Sequence, residues 1–84
     1  MFQLPDQLTI ANAKTVVDAG LAAVESGQTE FDLGPLKTVD SAAVAALLAW
    51  QRAAQTQGKR LRFANRPSSL QSLAAVYGVA DLLD

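Results

Sequence analysis

FDLGPLKTVDSAAVAALLAW, the stretch from Phe31 to Trp50, decides the fold. Phe31 and Leu33 flank Asp32 in the alternation of a strand with one covered face. That strand begins near Thr29, is interrupted at Gly34-Pro35 and is resumed by Val39. Asp40 or Ser41 then caps a helix running to about Gln57, with Gly58 as its C-terminal stop. Ala, Val, Leu and Trp fill that helix. Ala43, Leu47, Trp50 and Ala54 fall on one stripe, and Ala45, Ala49 and Ala53 on a neighbouring stripe of small residues. A strand, a loop and a buried helix in this order form half of a parallel α/β unit.

The same reading extends in both directions. Upstream, Met1 to Pro5 and Gln7 to Ile10 read as two short strands with Pro5-Asp6 as the turn between them. Leu8 and Ile10 supply the covered face of the second. Asn12 is placed to cap a helix in which Ala13, Val16, Val17, Gly20, Leu21 and Val24 recur at helical spacing, stopped by Gly27. Downstream, Arg60 to Ala64 alternates, with Leu61 and Phe63 inward and Arg60 and Arg62 outward. Ser68 and Gln71 have the spacing of a capping box. Leu70, Leu73, Ala74 and Tyr77 share a face of the third helix, Gly78 ends it, and Val79 to Leu83 form an apolar tail that tucks back onto the body. The predicted order is β-β-α-β-α-β-α. The first two strands pair antiparallel through their short turn, and the others pair parallel through right-handed crossovers. The expected fold is α/β: a small mixed β-sheet with helices packed largely on one face.

Composition narrows the function. The 84 residues correspond to one domain, residues 1–84. There is no cysteine, hence no disulfide, thiolate metal site or cysteine nucleophile, and no histidine, the commonest metal ligand and general base. A net charge of −1 argues against a dedicated nucleic-acid binder. The N-terminus has no basic region followed by an apolar run. The longest apolar run, Ala42 to Trp50, is far short of the roughly 18–20 residues of a membrane span. These features predict a cytoplasmic domain that binds a partner, performs no catalysis, needs no cofactor and does not itself insert into a membrane.

Asp40-Ser41 carries the most information. The first N–H groups of a helix lack partners within it, and the helix dipole places partial positive charge there. A phosphate on Ser41 would be stabilised at that position, whereas an unmodified hydroxyl could cap the helix or meet a partner. Asp and Ser before an apolar helix are also ordinary caps, so the pair alone decides nothing.

The whole chain resembles the STAS domain family of sulfate transporters and anti-sigma factor antagonists. The residues that carry the resemblance are Phe31-Asp32-Leu33, Val39-Asp40-Ser41 with the helix Ala42 to Trp50, Leu61-Arg62-Phe63-Ala64-Asn65, and Leu73-Ala74-Ala75-Val76-Tyr77-Gly78-Val79. The last of these, with Asp81-Leu82-Leu83, is most similar to the small STAS subunit of Mla-type phospholipid ABC transporters. This resemblance implies a subunit that contacts the transporter ATPase through Asp40, Ser41, Ala42, Ala45 and Ala49, and reaches the inner membrane only through that partner. It also implies an alternative, an anti-sigma factor antagonist in which a partner serine kinase phosphorylates Ser41. Ala43 stands where the family often has Gly, which weighs against the kinase reading because the extra methyl hinders close approach. Nucleotide binding, suggested for some STAS domains, is a further and weaker alternative, since the five glycines are scattered and form no phosphate loop.

Other residues have plainer readings. Lys59, Arg60, Arg62 and Arg66 are clustered and read as a solvated strand face, with an acidic partner patch as the alternative. Trp50 and Tyr77 read as packing residues, Tyr77 with its hydroxyl near the surface. Ser41 has only Lys37 as a nearby base, and Asp32 and Asp40 are the nearest to a carboxylate pair, so an enzyme reading is poorly supported.

Overall fold

A computed structural model describes residues 1–78. Its elements are β1 (Phe2–Gln3), β2 (Gln7–Leu8), α1 (Ala13–Glu25), β3 (Glu30–Asp32), β4 (Thr38–Val39), α2 (Ser41–Thr56), β5 (Arg62–Ala64) and α3 (Ser68–Val76). The chain is thus a small α/β domain with three helices, as the hydrophobic periodicity predicts. The tail from Val79 to Leu83 lies outside the described residues.

The sheet is organised by one row of aromatic side chains. β1, β3 and β5 pair in that order, all parallel, and the register aligns Phe2 with Phe31 and Phe31 with Phe63. Successive residues of a strand point to opposite faces, so this row sits on one face, beneath the helices. Phe31 packs between its neighbours, tilted on Phe2 with ring centroids 4.8 Å apart and edge-to-face with Phe63 at 6.1 Å. Trp50 of α2 closes the cluster, 5.1 Å from Phe31 and 6.1 Å from Phe2. Leu47, Leu33, Leu8 and Val24 join this core, and α3 buries Leu70 and Ala74 in it. The opposite face of the sheet holds Gln3, Glu30, Asp32 and Arg62. Parallel sheets are usually covered on both faces; here a polar face replaces the second layer of helices.

The pairing of the first two strands differs from the expected antiparallel hairpin. β1 runs parallel to β3, and β2 runs parallel to β4 in a separate two-stranded sheet. Pro5-Asp6 is therefore a crossing between sheets. The Leu4 N–H donates to the Asp32 carbonyl at 3.1 Å, extending the β1–β3 ladder, while the Asp6 carbonyl accepts from Lys37 at 2.7 Å and Thr38 at 3.2 Å at the start of β4. Leu4 and Leu8 are both buried, and a tight hairpin would not place both in the core. The same logic divides the predicted strand at Gly34-Pro35. The Leu36 N–H donates to the Leu33 carbonyl, closing a turn, and β4 leaves with a different partner.

Two predicted caps take other forms. Asn12 precedes α1, but its side chain does not cap the helix. Pro67, with its extended backbone, is the N-cap of α3, so Ser68 falls inside the helix and the capping box does not form. Gly58 and Gly78, with φ of 70° and 71°, stop α2 and α3 as expected, in a conformation that L side chains rarely adopt.

α1 and α2 pack tightly at Gly20. A side chain there would drive into the indole of Trp50, whose Nε1 donates to the Val17 carbonyl of α1 at 3.1 Å. Trp50 is fully buried, as expected of a packing residue. Tyr77 is not: it is 54% exposed beyond the end of α3. Its N–H still donates to the Leu73 carbonyl at 3.1 Å, so it completes the last helical turn, a turn in which Val76 is exposed as well.

Candidate functional site

The N-terminus of α2 is tied to the loop before α1 by a single carboxylate. Asp40 has extended backbone, and its Oδ1 accepts from the Ala42 N–H at 2.8 Å, the geometry of an N-cap. Its Oδ2 accepts from the Ile10 N–H at 3.0 Å. Asp40 is thus the cap, and Ser41 is the first helical residue.

The loop it holds is built around Asn12. Asn12 Oδ1 accepts from the Thr9 N–H at 3.0 Å, and its Nδ2 donates to the Gln7 carbonyl at 2.9 Å. Thr9 Oγ1 accepts from the Ala11 N–H at 3.2 Å. These local bonds end β2 after Leu8 and turn the chain outward. Ile10 was expected to face the core, but the turn breaks the strand alternation and leaves it 85% exposed. Sequence reading missed Ile10 as a surface group. The signal was available in Thr9 and Asn12, whose side chains favour such turns.

Ser41 sits beside this loop, exposed, and its hydroxyl makes no hydrogen bond to any described residue. From it a shallow groove runs between α1 and α2. Ala42, Ala45 and Ala49 line one side with the buried Ala46, and Ala13 and Val17 line the other. Lys14 and Asp18 border it, paired at 3.3 Å across one turn of α1. The structure therefore brings Asp40, Ser41, Ala42, Ala45 and Ala49 together on one surface. A partner helix or loop can come close to the backbone there, because methyl groups are all that stand in its way.

The other candidates do not join this surface. Asp32 ends β3 on the polar face of the sheet. Its Oδ1 accepts from Asn65 Nδ2 at 3.0 Å and the Gly34 N–H at 2.9 Å, and its Oδ2 from Gln3 Nε2 at 3.4 Å. The Asn65 amide, then the Gly34 N–H, hold its carboxyl below the usual aspartate range. Asn65 reaches it from the left-handed region, at φ 58°, which Asn tolerates better than most residues. Asp32 and Asp40 share no partner, and Lys37 makes no hydrogen bond to Ser41. Among the described residues, no group of three or more acidic side chains could hold a metal ion, and no helix is long and apolar enough to cross a membrane.

A second residue missed by sequence reading is Gln51, 6% exposed and the one buried polar side chain among the described residues. Its Oε1 accepts from the Leu61 N–H at 2.8 Å and its Nε2 donates to the Leu61 carbonyl at 3.3 Å. One amide side chain thereby acts as a strand segment beside the entry to β5.

The family model described as "Mlab, STAS domain" matches residues 2–84, and the chain belongs to the STAS domain family, a class of regulatory and protein-interaction modules. No curated protein matches the chain.

Proposed function

We propose that this chain is a non-catalytic cytoplasmic subunit that binds and regulates the ATPase of an Mla-type phospholipid ABC transporter, and meets the inner membrane only through that ATPase. The observation that carries the reading is the surface at the head of α2. The exposed Ser41 hydroxyl heads a groove lined by Ala42, Ala45 and Ala49 and bordered by the Lys14–Asp18 pair, and Asp40 holds the backbone of the exposed Ile10 beside it. The family description supports the same reading. A hydrophobic anchor beside a hydroxyl fits a protein interface, whose core is apolar with few polar groups. Docking there would favour one conformation of the ATPase by differential binding.

Ser41→Glu tests it. Ser41 is exposed and begins a helix, where a carboxylate is tolerated or mildly stabilising. The variant therefore folds, but buries an unpaired charge at the interface, at a cost of about 2–5 kcal/mol. Co-purification with the ATPase should be lost while circular dichroism is unchanged. Wild-type recovery of the complex would refute the assignment.

The unpaired Ser41 hydroxyl also favours a second reading, an anti-sigma factor antagonist switched by a serine kinase. A phosphoryl group would meet the α2 N-terminus, but also the neighbouring Asp40 carboxylate, which already accepts the Ala42 N–H. Intact-mass measurement after incubation with the candidate kinase separates the two: a phosphate gain on Ser41 supports the switch, and an unchanged mass supports the transporter subunit.

A further inference from the structure

β5 is one of the two edge strands of the three-stranded sheet, β1 being the other. The Arg62 N–H donates to the Thr29 carbonyl at 2.8 Å and the Ala64 carbonyl accepts from Leu33 at 2.9 Å, so Arg62 and Ala64 direct their backbone groups toward β3. In a parallel ladder the intervening residues face the other way. Leu61 does so, and both its groups are satisfied by Gln51. Phe63 turns its N–H and C=O to the open edge, where no described strand pairs with it. An unpaired edge is a template for another strand, and proteins usually blunt it. Here Gln51 blunts one end only.

Along this edge runs a groove lined by Arg60, Arg62, Phe63, Asn65, Arg66 and Gln71 among others; the described residues that line it include three arginines and no carboxylate. Arg60 and Arg62 are exposed. The Glu30 that approaches Arg62 does so at 3.8 Å across an exposed pair, too loosely to neutralise it. We propose that the β5 edge is a docking strand for an acidic, extended segment of a partner protein, which adds a strand through the Phe63 backbone and sets its carboxylates against Arg60 and Arg62. Strand addition supplies affinity through main-chain bonds and specificity through alternate side chains. This surface uses none of the residues at the head of α2, so it stands independently of the transporter reading.

The probe is a decapeptide of alternating Glu and Val, whose branched residues favour extended backbone, titrated into the isotope-labelled chain and followed by amide NMR. The Phe63 amide should shift saturably, and a peptide with Lys in place of Glu should not shift it. The exposed double variant Arg60→Glu/Arg62→Glu, with unchanged circular dichroism, should weaken binding by about tenfold or more through charge repulsion. A Glu-Val peptide N-methylated at alternate residues should bind as poorly, because it lacks the donors for the ladder. No Phe63 shift up to about 1 mM peptide, a level that marks binding of only about −4 kcal/mol, would overturn the proposal. Equal binding of the N-methylated peptide would also overturn it. So would arginine-dependent sedimentation with phosphatidylglycerol vesicles in the absence of peptide binding, which would assign the patch to a lipid surface.

Discussion

Replacing Gly20 by Ala should destabilise this protein, although Ala is the better helix former. In an exposed helix the substitution gains about 0.5–1 kcal/mol. Here the added Cβ would lie 2.7 Å from Cζ2 of Trp50 and nearer still to Cε2 and Nε1. Comfortable carbon contacts need about 3.5–4.0 Å. The indole has nowhere to retreat: it is fully buried and packed against Phe31 and Phe2. Overpacking a core typically costs 1–3 kcal/mol. Any shift of the ring also weakens the bond from Nε1 to the Val17 carbonyl, worth about 1 kcal/mol. The net effect should be a loss of about 2 kcal/mol, seen as a lower urea midpoint at unchanged slope. At about 4–8 °C per kcal/mol for a domain of this size, Tm should fall by roughly 8–16 °C. The double-mutant cycle isolates the cause. With Trp50→Phe, which removes the part of the indole that the methyl meets, the penalty of Gly20→Ala should shrink. An equal or raised midpoint for Gly20→Ala alone, or the same penalty in both backgrounds, would refute the reasoning.

Two further predictions concern the polar groups around β5 and β3. Gln51→Leu keeps the volume but leaves the buried Leu61 N–H and C=O without partners. It should cost about 2–6 kcal/mol, at about 1–3 per abandoned group, and denaturation together with faster exchange of the Leu61 amide would show it. Asn65→Ala removes the largest influence holding down the Asp32 carboxyl, so the Asp32 titration followed by NMR should move up toward the ordinary aspartate value. The sign for stability follows: a lowered native pKa contributes stability above the unfolded aspartate pKa of about 3.9, lost as pH falls through the native value. The variant should therefore lose more stability at neutral pH than in acid, and the difference from wild type should narrow on acidification to the pH-independent cost of placing Ala at φ 58°.

The helices and the covered face of each strand were legible in sequence because they rest on periodicity. Phe31, Phe63, Leu47 and Trp50 are in the core for the reason their spacing suggests: a helix or strand has one apolar side to bury. The cap was legible to within one residue, Asp40 or Ser41, since capping is satisfied locally, and the bond from the Ala42 N–H assigns it to Asp40. The candidate surface was legible in its α2 half, through the resemblance and the alanine stripe. Its other half, Ile10, was not, because a turn built by Thr9 and Asn12 overrides the alternation of β2.

The pairing of the short strands, by contrast, was settled by long-range packing. Pro5-Asp6 looks like a hairpin turn, but strands of two or three residues have too few hydrogen bonds of their own to choose a partner. The burial of Leu4 and Leu8 chooses instead, and sends β1 to β3 and β2 to β4. The same holds for Gly20 against Trp50, for Gln51 beside Leu61 and for the open edge of β5. Each joins residues distant in sequence, and no local propensity encodes a contact whose geometry exists only after the helices have docked on the sheet.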